Sequence, residues 1–231
     1  MDMRILLPPS EGKTAPLQGP TLDLPSLAFP ELTDARRAVA DKLVAASRSK
    51  NALSMLGVGE RAFGEVHAQR NLYDMPCAPA RSVYTGVLYE AAQLQPEDDV
   101  WIFSALFGLT RAEDLIPAYR LNMSVTLPRL GRLSAFWKRE LASLEGEDDV
   151  YVDMRSASYQ VWSPSNNWWK IRVADATGRA ISHRAKHYRG LLTRALLDAD
   201  SSDVVAVAEG IGRVSVEDGG TRFKILTLTV E

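Results

Sequence analysis

The sequence predicts a mixed α/β (α+β) fold, because short apolar runs typical of buried strands are interleaved with longer segments whose apolar residues recur at helical spacing. The strand-like runs lie at 3–7, 100–103 and 150–152, and the two longest helical segments lie at 33–49 and 183–197. This interleaving predicts a central mixed sheet with flanking helices.

The first strand and helix have recognisable boundaries. The run 3–7 is stopped by Pro8 and Pro9, which cannot continue a hydrogen-bonded ladder. Thr33 is a typical N-cap residue, and the apolar residues that follow recur on one face until about position 49. We therefore expect a buried strand, a loop and then a long amphipathic helix.

The second half of the chain continues the alternation. An amphipathic helix is expected over 133–144, and a second one over 183–197. The apolar run 204–207 predicts a strand, and the alternating tail 221–230 predicts another. Strands and helices are therefore interleaved to the end of the chain.

Composition limits the class of protein. The 231 residues suffice for one well-packed core, so we expect residues 1–231 to form a single compact domain. The chain is 46% hydrophobic and 24% charged, which is typical of a soluble globular protein. No apolar run approaches the roughly 20 residues of a membrane helix. We expect a cytoplasmic monomer without a membrane partner.

The charge distribution restricts any contact with nucleic acid. A formal net charge of −2 argues against a protein that coats DNA through bulk charge. The segment 170–194 is locally basic and includes Lys186 and Arg189, with Asp175 as its single acidic residue. This segment is either a solvated face or an anion site.

Neither cysteine nor histidine chemistry is indicated. The single cysteine, Cys77, excludes an internal disulfide. His183 and His187 have the i, i+4 spacing of metal ligands, but the glutamate context of a zinc helix is missing. The sequence therefore indicates no metal site and no cofactor.

The loop after the first strand contains half of a phosphate-binding motif. Gly-Lys-Thr ends at Thr14, but the motif also needs a glycine five positions before its second glycine, where this chain has Leu7. A nucleoside triphosphatase is thereby disfavoured. Ser10, Lys13 and Thr14 still suit one phosphate or carboxylate at the end of a strand, and an ordinary surface loop is the alternative.

Residues 50–70 match the helix-hairpin-helix pattern, with Gly57, Val58 and Gly59 between two short helical segments. Glycines permit a tight turn, and the exposed N–H groups of such a turn bind a DNA phosphate. Arg61 would add a positive charge. The alternative is a helix corner with a glycine C-cap.

Polar residues also concentrate after two expected parallel strands. Ends of parallel strands are a usual place for small ligands, so these groups are expected to lie close together. A structural pair between arginine and a carboxylate is the simpler alternative. The residues are Tyr84, Asp114, Tyr119, Arg120, Asp153, Arg155 and Ser156.

The run 104–123 resembles the signature of the YaaA family of peroxide-stress-resistance proteins, which reads roughly Ser-Gly-Leu-Tyr-Gly, then Asp, then Tyr-Arg-Leu-x-Met. Two features depart from the family pattern: the longer loop 8–14, and Asp153 where others have Asn. The further matches are Tyr84-Thr85-Gly86, Phe136-Trp137, the stretch 152–156 with Tyr159, and Lys186 with Arg189-Gly190 and Arg194. The resemblance implies a cytoplasmic peroxide-stress protein that binds duplex or distorted DNA and limits oxidative damage.

Two functional interpretations remain open. The first is DNA binding through the glycine turn and the basic segment. The second is an enzyme acting on a small anionic or nucleotide-like substrate, with Asp153, Asp114 or Tyr84 as the catalytic group. Lys13, Arg120 and Lys186 would then hold the anion. Both interpretations require these three cations to line one cavity.

Overall fold

The structure of the protein is a computed structural model that describes residues 3–144, 150–165, 167–181, 183–199 and 203–230. Its strands are β1 (Met3–Leu7), β2 (Ala78–Pro79), β3 (Val100–Ser104), β4 (Gly108–Arg111), β5 (Leu115–Ile116), β6 (Thr126–Leu127), β7 (Gly131–Arg132), β8 (Val150–Asp153), β9 (Trp168–Ala174), β10 (Arg213–Asp218) and β11 (Phe223–Thr229). Its α-helices are α1 (Thr33–Arg48), α2 (Ala52–Met55), α3 (Phe63–Ala68), α4 (Ala80–Val83), α5 (Val87–Ala92), α6 (Leu133–Glu140), α7 (His183–Asp198) and α8 (Val204–Glu209).

A seven-stranded sheet has the order β10-β11-β9-β8-β1-β3-β4. The five inner strands are parallel, and the edge strands β4 and β10 are antiparallel to their neighbours. The fold is therefore mixed α/β, as the sequence predicted. The short strands form two separate pairs, β2 with β5 and β6 with β7.

The strand order places a crevice next to β1. The chain passes from β1 to β3 on one side and then to β8 on the other, so β1 lies where the order reverses. The carboxyl ends of β1, β3 and β8 share one edge because the three strands are parallel. Open sheets bind ligands outside the carboxyl ends of strands at such a reversal.

Two local predictions were wrong. The run 204–207 forms α8 and not a strand, because the Asp203 carboxylate caps the backbone N–H groups of Val205 and Ala206. A short apolar run alone is compatible with a strand or with a helix. Thr33 is the first helical residue of α1 and not its N-cap, since a 3-10 turn at Pro30–Leu32 leads directly into the helix.

The segment between β3 and α6 packs closely on Trp137. The Trp137 Nε1 donates to the Ala105 carbonyl at 2.8 Å. Gly108 has a φ of +72°, and a Cβ at this position would lie 2.4 Å from the Trp137 ring. A glycine is therefore required here both by the backbone and by the indole. Trp137 is fully buried, and Phe136 beside it is 5% exposed.

The helices α5 and α7 pack against each other at Gly190. A Cβ added there would lie 2.3 Å from the Leu88 carbonyl oxygen and 2.7 Å from the Ala91 Cβ. Because α7 also carries Lys186 and Arg189, this close approach fixes their position relative to α5.

None of the helices in the described residues is long and apolar enough to cross a membrane.

We expect Gly190→Ala to destabilise the protein by roughly 1–3 kcal/mol, because the methyl group overlaps the backbone of α5. Gly64→Ala is the matched control, since Gly64 is also helical but a Cβ there meets no atom within 4 Å. Helix propensity then predicts a gain of up to about 1 kcal/mol. Urea unfolding of both variants measures the difference. Equal stabilities would show that α5 and α7 do not depend on this contact.

Candidate functional site

A cleft of about 640 Å³ opens beside the carboxyl ends of β1 and β8. It is formed by segments that are distant in the sequence but meet at the edge of the sheet. Its lining comes from residues 8–13, from 57–59, from 85–89, from 120–124, from Ser156, Ser158 and Tyr159, and from Lys186 and Arg189 on α7.

The charged lining of the cleft is mainly positive. Among the described residues, Lys13, Arg120, Lys186 and Arg189 line it, with Glu11 as the acidic member. The three cations that the sequence placed in one cavity therefore do share it. Ser10 and Ser156, from the same set of predicted anion-binding residues, line it as well.

These cations differ in how far the protein already neutralises them. Arg120 forms an ion pair with the exposed Glu11 carboxylate, and its Nη1 lies 3.6 Å from Glu65. Lys186 has no hydrogen-bond or ionic partner among the described residues. The Arg189 Nε is buried without a partner among those residues, and its Nη2 reaches only the Ile171 carbonyl at 3.3 Å.

The backbone of Arg120 is fixed by a buried amide. The Gln69 Oε1 accepts from the Arg120 N–H at 2.8 Å, and its Nε2 lies 2.9 Å from the Ser47 Oγ. Gln69 is fully buried. This contact holds Arg120 at a constant position relative to α1, which contains Ser47.

A hydroxyl row made of Ser104, Tyr119 and Tyr84 lies buried beneath the cleft. The Tyr119 hydroxyl is 2.8 Å from the Ser104 Oγ and 2.9 Å from the Tyr84 hydroxyl. The Ser104 Oγ also accepts from the backbone N–H groups of Leu106 and Phe107. Burial raises the pKa of Tyr84 and of Tyr119 well above the usual phenol value, so both are neutral.

Lys13 lies on top of this row. Its Nζ is 4.3 Å from the centre of the Tyr119 ring and 5.5 Å from that of Tyr84, and it donates to the Ser10 carbonyl at 2.8 Å. No carboxylate among the described residues forms an ion pair with it. Burial, and then the positive charge of Arg120, lower the pKa of Lys13 to about 7. The amine is therefore partly neutral at neutral pH.

The glycine turn, Gly57–Gly59, contains two glycines, and the fold requires only the first of them. Gly57 has a φ of +63° and donates to the Ser54 carbonyl, while Val58 donates to the Leu53 carbonyl. This pattern is a Schellman cap that ends α2, and it explains Gly57. Gly59 has an ordinary φ of −84°, and a Cβ there would meet no atom within 4 Å. The fold itself therefore does not require a glycine at position 59.

The predicted carboxylates do not line the cleft. Asp153 and Arg155 form a buried ion pair in which both carboxylate oxygens accept from the guanidinium. Asp114 accepts from the backbone N–H groups of Ala28 and Arg111 and so stabilises a loop. The geometry assigns structural contacts to these groups and offers neither carboxylate to a ligand in the cleft.

Other predicted residues are placed around the site. Thr14 is exposed and binds the Val83 carbonyl through its N–H at 2.9 Å, while Arg61 is exposed just beyond the glycine turn. Neither lines the cleft. The basic segment 170–194 is divided: Arg194 pairs with Asp98 and lies apart from Lys186 and Arg189, which line the cleft.

Within the described part of the structure, Cys77 and the histidines form no cluster. Burial raises the pKa of Cys77 to about 11, so its thiol is protonated. His187 packs against Tyr188, and the side chain of His183 lies outside the described part of the structure. No group of three or more potential metal ligands occurs among the described residues.

Part of the cleft lining was not predicted from the sequence. Tyr89, which donates to the Pro8 carbonyl at 2.8 Å, and the stretch 121–124 both line the cleft. Gly86, with a φ of +108°, starts α5 and thereby sets the position of Tyr89. The match at Tyr84-Thr85-Gly86 was the available signal, but it did not extend to Tyr89.

Fold and site together define a mixed α/β protein with a cationic cleft at the carboxyl edge of its parallel strands. The family described as peroxide stress protein YaaA matches residues 3–210. The chain therefore belongs to this family, as its signature run indicated.

Curated relatives agree with this assignment. A UPF0246 protein of Corynebacterium efficiens is 39% identical over 247 residues, covering 99% of this chain and 100% of the relative. A UPF0246 protein of Streptomyces coelicolor is 39% identical over 215 residues, covering 84% of this chain and 83% of the relative. A UPF0246 protein of Corynebacterium glutamicum is 36% identical over 247 residues, covering 99% of this chain and 100% of the relative.

The depressed pKa of Lys13 predicts a pH-dependent stability. With a pKa of about 7 in the folded protein against 10.5 for the free side chain, the unfolded chain binds more protons between these values. The unfolding free energy of the wild type should therefore rise with pH across this window relative to that of Lys13→Met, by at most about 1.4 kcal/mol per pH unit. Below pH 7 the difference should be constant, since both states are protonated.

Urea unfolding of the two proteins from about pH 6 to pH 10 measures this difference. Lys138→Met, which removes an exposed amine on α6, controls for the loss of a lysine as such. A wild-type to Lys13→Met difference that stays flat over the whole range would contradict the depressed pKa.

Proposed function

We propose that this protein acts in peroxide stress by binding duplex or distorted DNA at the cleft, and that this binding limits oxidative damage. The observation that carries the proposal is that the glycine turn and the four cations line the same cleft. Backbone N–H groups and basic side chains are the two kinds of donor that bind DNA phosphates. A mildly acidic protein can bind DNA when such donors are concentrated in one place.

Gly59 supports this proposal. Its backbone conformation is open to any residue, and nothing in the described structure lies where its side chain would be. A glycine that the fold does not need is explained by the close approach of a partner's backbone. A DNA phosphate at this turn would be such a partner.

The unequal pairing of the cations also supports it. Lys186 is exposed and has no partner among the described residues, so an incoming phosphate meets a donor that is already free. Arg120 is different, because Glu11 already neutralises it. Glu11 is exposed on a loop, so a phosphate can displace it from Arg120. We infer that Glu11 competes with the DNA backbone for this arginine.

A nucleotide-like small molecule is the second candidate, because the volume of the cleft, about 640 Å³, lies in the range of small-ligand pockets. A thermal-shift screen against nucleotides and nucleosides tests it, since a bound ligand raises the melting temperature by mass action. A series without any shift, together with salt-sensitive DNA retention, would remove this candidate.

Gly59→Val is expected to weaken binding to a DNA duplex about tenfold or more, because the branched side chain keeps the phosphate away from the turn. Its unfolding midpoint should stay near that of the wild type, since the side chain meets no atom within 4 Å of its Cβ. Fluorescence anisotropy with a labelled duplex measures the affinity, and Gly64→Ala is the control outside the cleft. Unchanged affinity in a folded Gly59→Val protein would exclude the glycine turn from the interface.

Charge changes at the cleft should act in opposite directions. Lys186→Met removes one free cation, so DNA binding should weaken and the slope of log affinity against log salt should become shallower by about one unit. Glu11→Gln removes the nearer of the two carboxylates beside Arg120, so binding should strengthen and the slope should become steeper. Anisotropy titrations over a salt series measure both, with Lys138→Met as the control. A Glu11→Gln variant that binds more weakly than the wild type would contradict competition by Glu11.

A further inference from the structure

Lys13 is placed differently from the other cations of the cleft. Its amine has one short contact, to the Ser10 carbonyl at 2.8 Å, and a long one to the Glu11 carbonyl at 3.5 Å. One side packs on the Tyr119 ring at 4.3 Å, and no carboxylate pairs with it among the described residues. A lysine that serves only to hold anions would be expected in water or beside a carboxylate, where it keeps its charge.

The chemistry of such an amine is nucleophilic. A lysine that is desolvated and lies next to another cation retains a lone pair at neutral pH and forms imines with carbonyl compounds. Arg120 is the neighbouring cation here, and a pKa of about 7 is consistent with this state. Lys186 and Arg189 line the same cleft and add positive charge for a phosphate.

The proposed DNA binding supplies one electrophile that such an amine would meet. We propose that the Lys13 Nζ forms an imine with the C1′ aldehyde of a ring-opened abasic deoxyribose in DNA. This inference rests on the proposed function, because the DNA backbone must first bind at the glycine turn and the cations. The abasic sugar is the part of a DNA chain that offers an aldehyde between two phosphates.

The size of the cleft fits this substrate. The cleft volume of about 640 Å³ is sufficient for a nucleotide. A deoxyribose with its phosphates has no base and is therefore smaller. Turning a residue out of a duplex costs least where the base is damaged or absent, because little stacking or pairing is lost. An abasic position is therefore the one that enters such a cleft most easily.

The step balances without any additional reactant. The Nζ lone pair attacks C1′, and the electrons of the C=O bond move to the oxygen, which gives a carbinolamine after proton transfer. The carbinolamine oxygen then leaves as water, and both protons of this water come from the original amine. A C=N bond forms between Nζ and C1′. No oxidation or reduction occurs in this step. The imine is reversible and becomes stable only when an added hydride donor reduces it to a secondary amine.

Reductive trapping tests the inference. The full-length protein is incubated with a labelled duplex that contains one abasic site, with sodium cyanoborohydride present, and is then run on a denaturing gel. We expect a covalent protein–DNA band with the abasic duplex and none with the intact duplex. Peptide mapping by mass spectrometry should locate the adduct on Lys13.

Two variants distinguish chemistry from charge. Lys13→Arg keeps a positive charge but lacks a nucleophilic amine, so it should still retain the abasic duplex in a native gel and should give no adduct. Lys138→Met, which alters an exposed amine outside the cleft, should give as much adduct as the wild type. An adduct located on another lysine, or one that persists in Lys13→Arg, would overturn the assignment.

Failure of the imine and failure of DNA binding give different results. A protein that retains the abasic duplex but yields no adduct refutes the imine and leaves the proposed function standing. A protein that retains no DNA refutes the proposed function. In that case 2-deoxyribose 5-phosphate, which carries the same aldehyde, is used with cyanoborohydride. Its adduct on Lys13 would support the nucleophile without DNA, and its absence would exclude it.

Discussion

The candidate site depends on the buried hydroxyl row beneath the cleft. Ser104 ends β3, Tyr119 lies near the end of the signature run and Tyr84 precedes α5, so three hydrogen-bonded side chains tie three separate segments together. The neutral phenols are held in an apolar environment, where an unsatisfied hydroxyl would cost roughly 1–3 kcal/mol. Each hydroxyl therefore needs the others, and Lys13 packs on the resulting surface. The position of its amine follows from this row and not from an ion pair.

Two groups of basic residues in the described structure have different physical roles. Arg36 and Arg155 are fully or almost fully buried and are held by carbonyl groups or by Asp153, so their charges stabilise the fold. Removing one partner of such a buried pair would leave an uncompensated charge at a cost of about 3–5 kcal/mol. Lys186 and Arg189 are left with few or no partners among the described residues, and both line the cleft. A net charge of −2 hides this division, because it counts both groups alike.

Sequence reasoning reached the fold class and the convergence of the site because both follow from strong local patterns. The run 3–7 and its two prolines predict a strand that opens into a loop, and β1 with residues 8–13 at the cleft confirms it. The family resemblance, which spans separated motifs, was confirmed by the match over 3–210. The roles of Asp114 and Asp153 could not be read in this way, since a carboxylate near an arginine in sequence looks the same whether it caps a loop, forms a buried pair or faces a ligand. Only the three-dimensional neighbours distinguish these cases, and the same holds for the cap that turns 204–207 into a helix.

In the proposed function, the loop after β1 would couple ligand entry to the protonation state of the Lys13 amine. Burial is the main cause of the lowered pKa of Lys13, and Arg120 lowers it further, while Glu65 and Glu11 raise it. In the proposed function, a phosphodiester that displaces Glu11 from Arg120 would replace one single negative charge by another, so this exchange alone leaves the charge beside Arg120 unchanged. Excluding water from the cleft then further disfavours the charged amine, because desolvation acts against the ionised form of a lysine. If DNA binds as proposed, the water that it excludes would favour the neutral, nucleophilic form of the Lys13 amine, and both proposals involve the loop that departs from the family pattern.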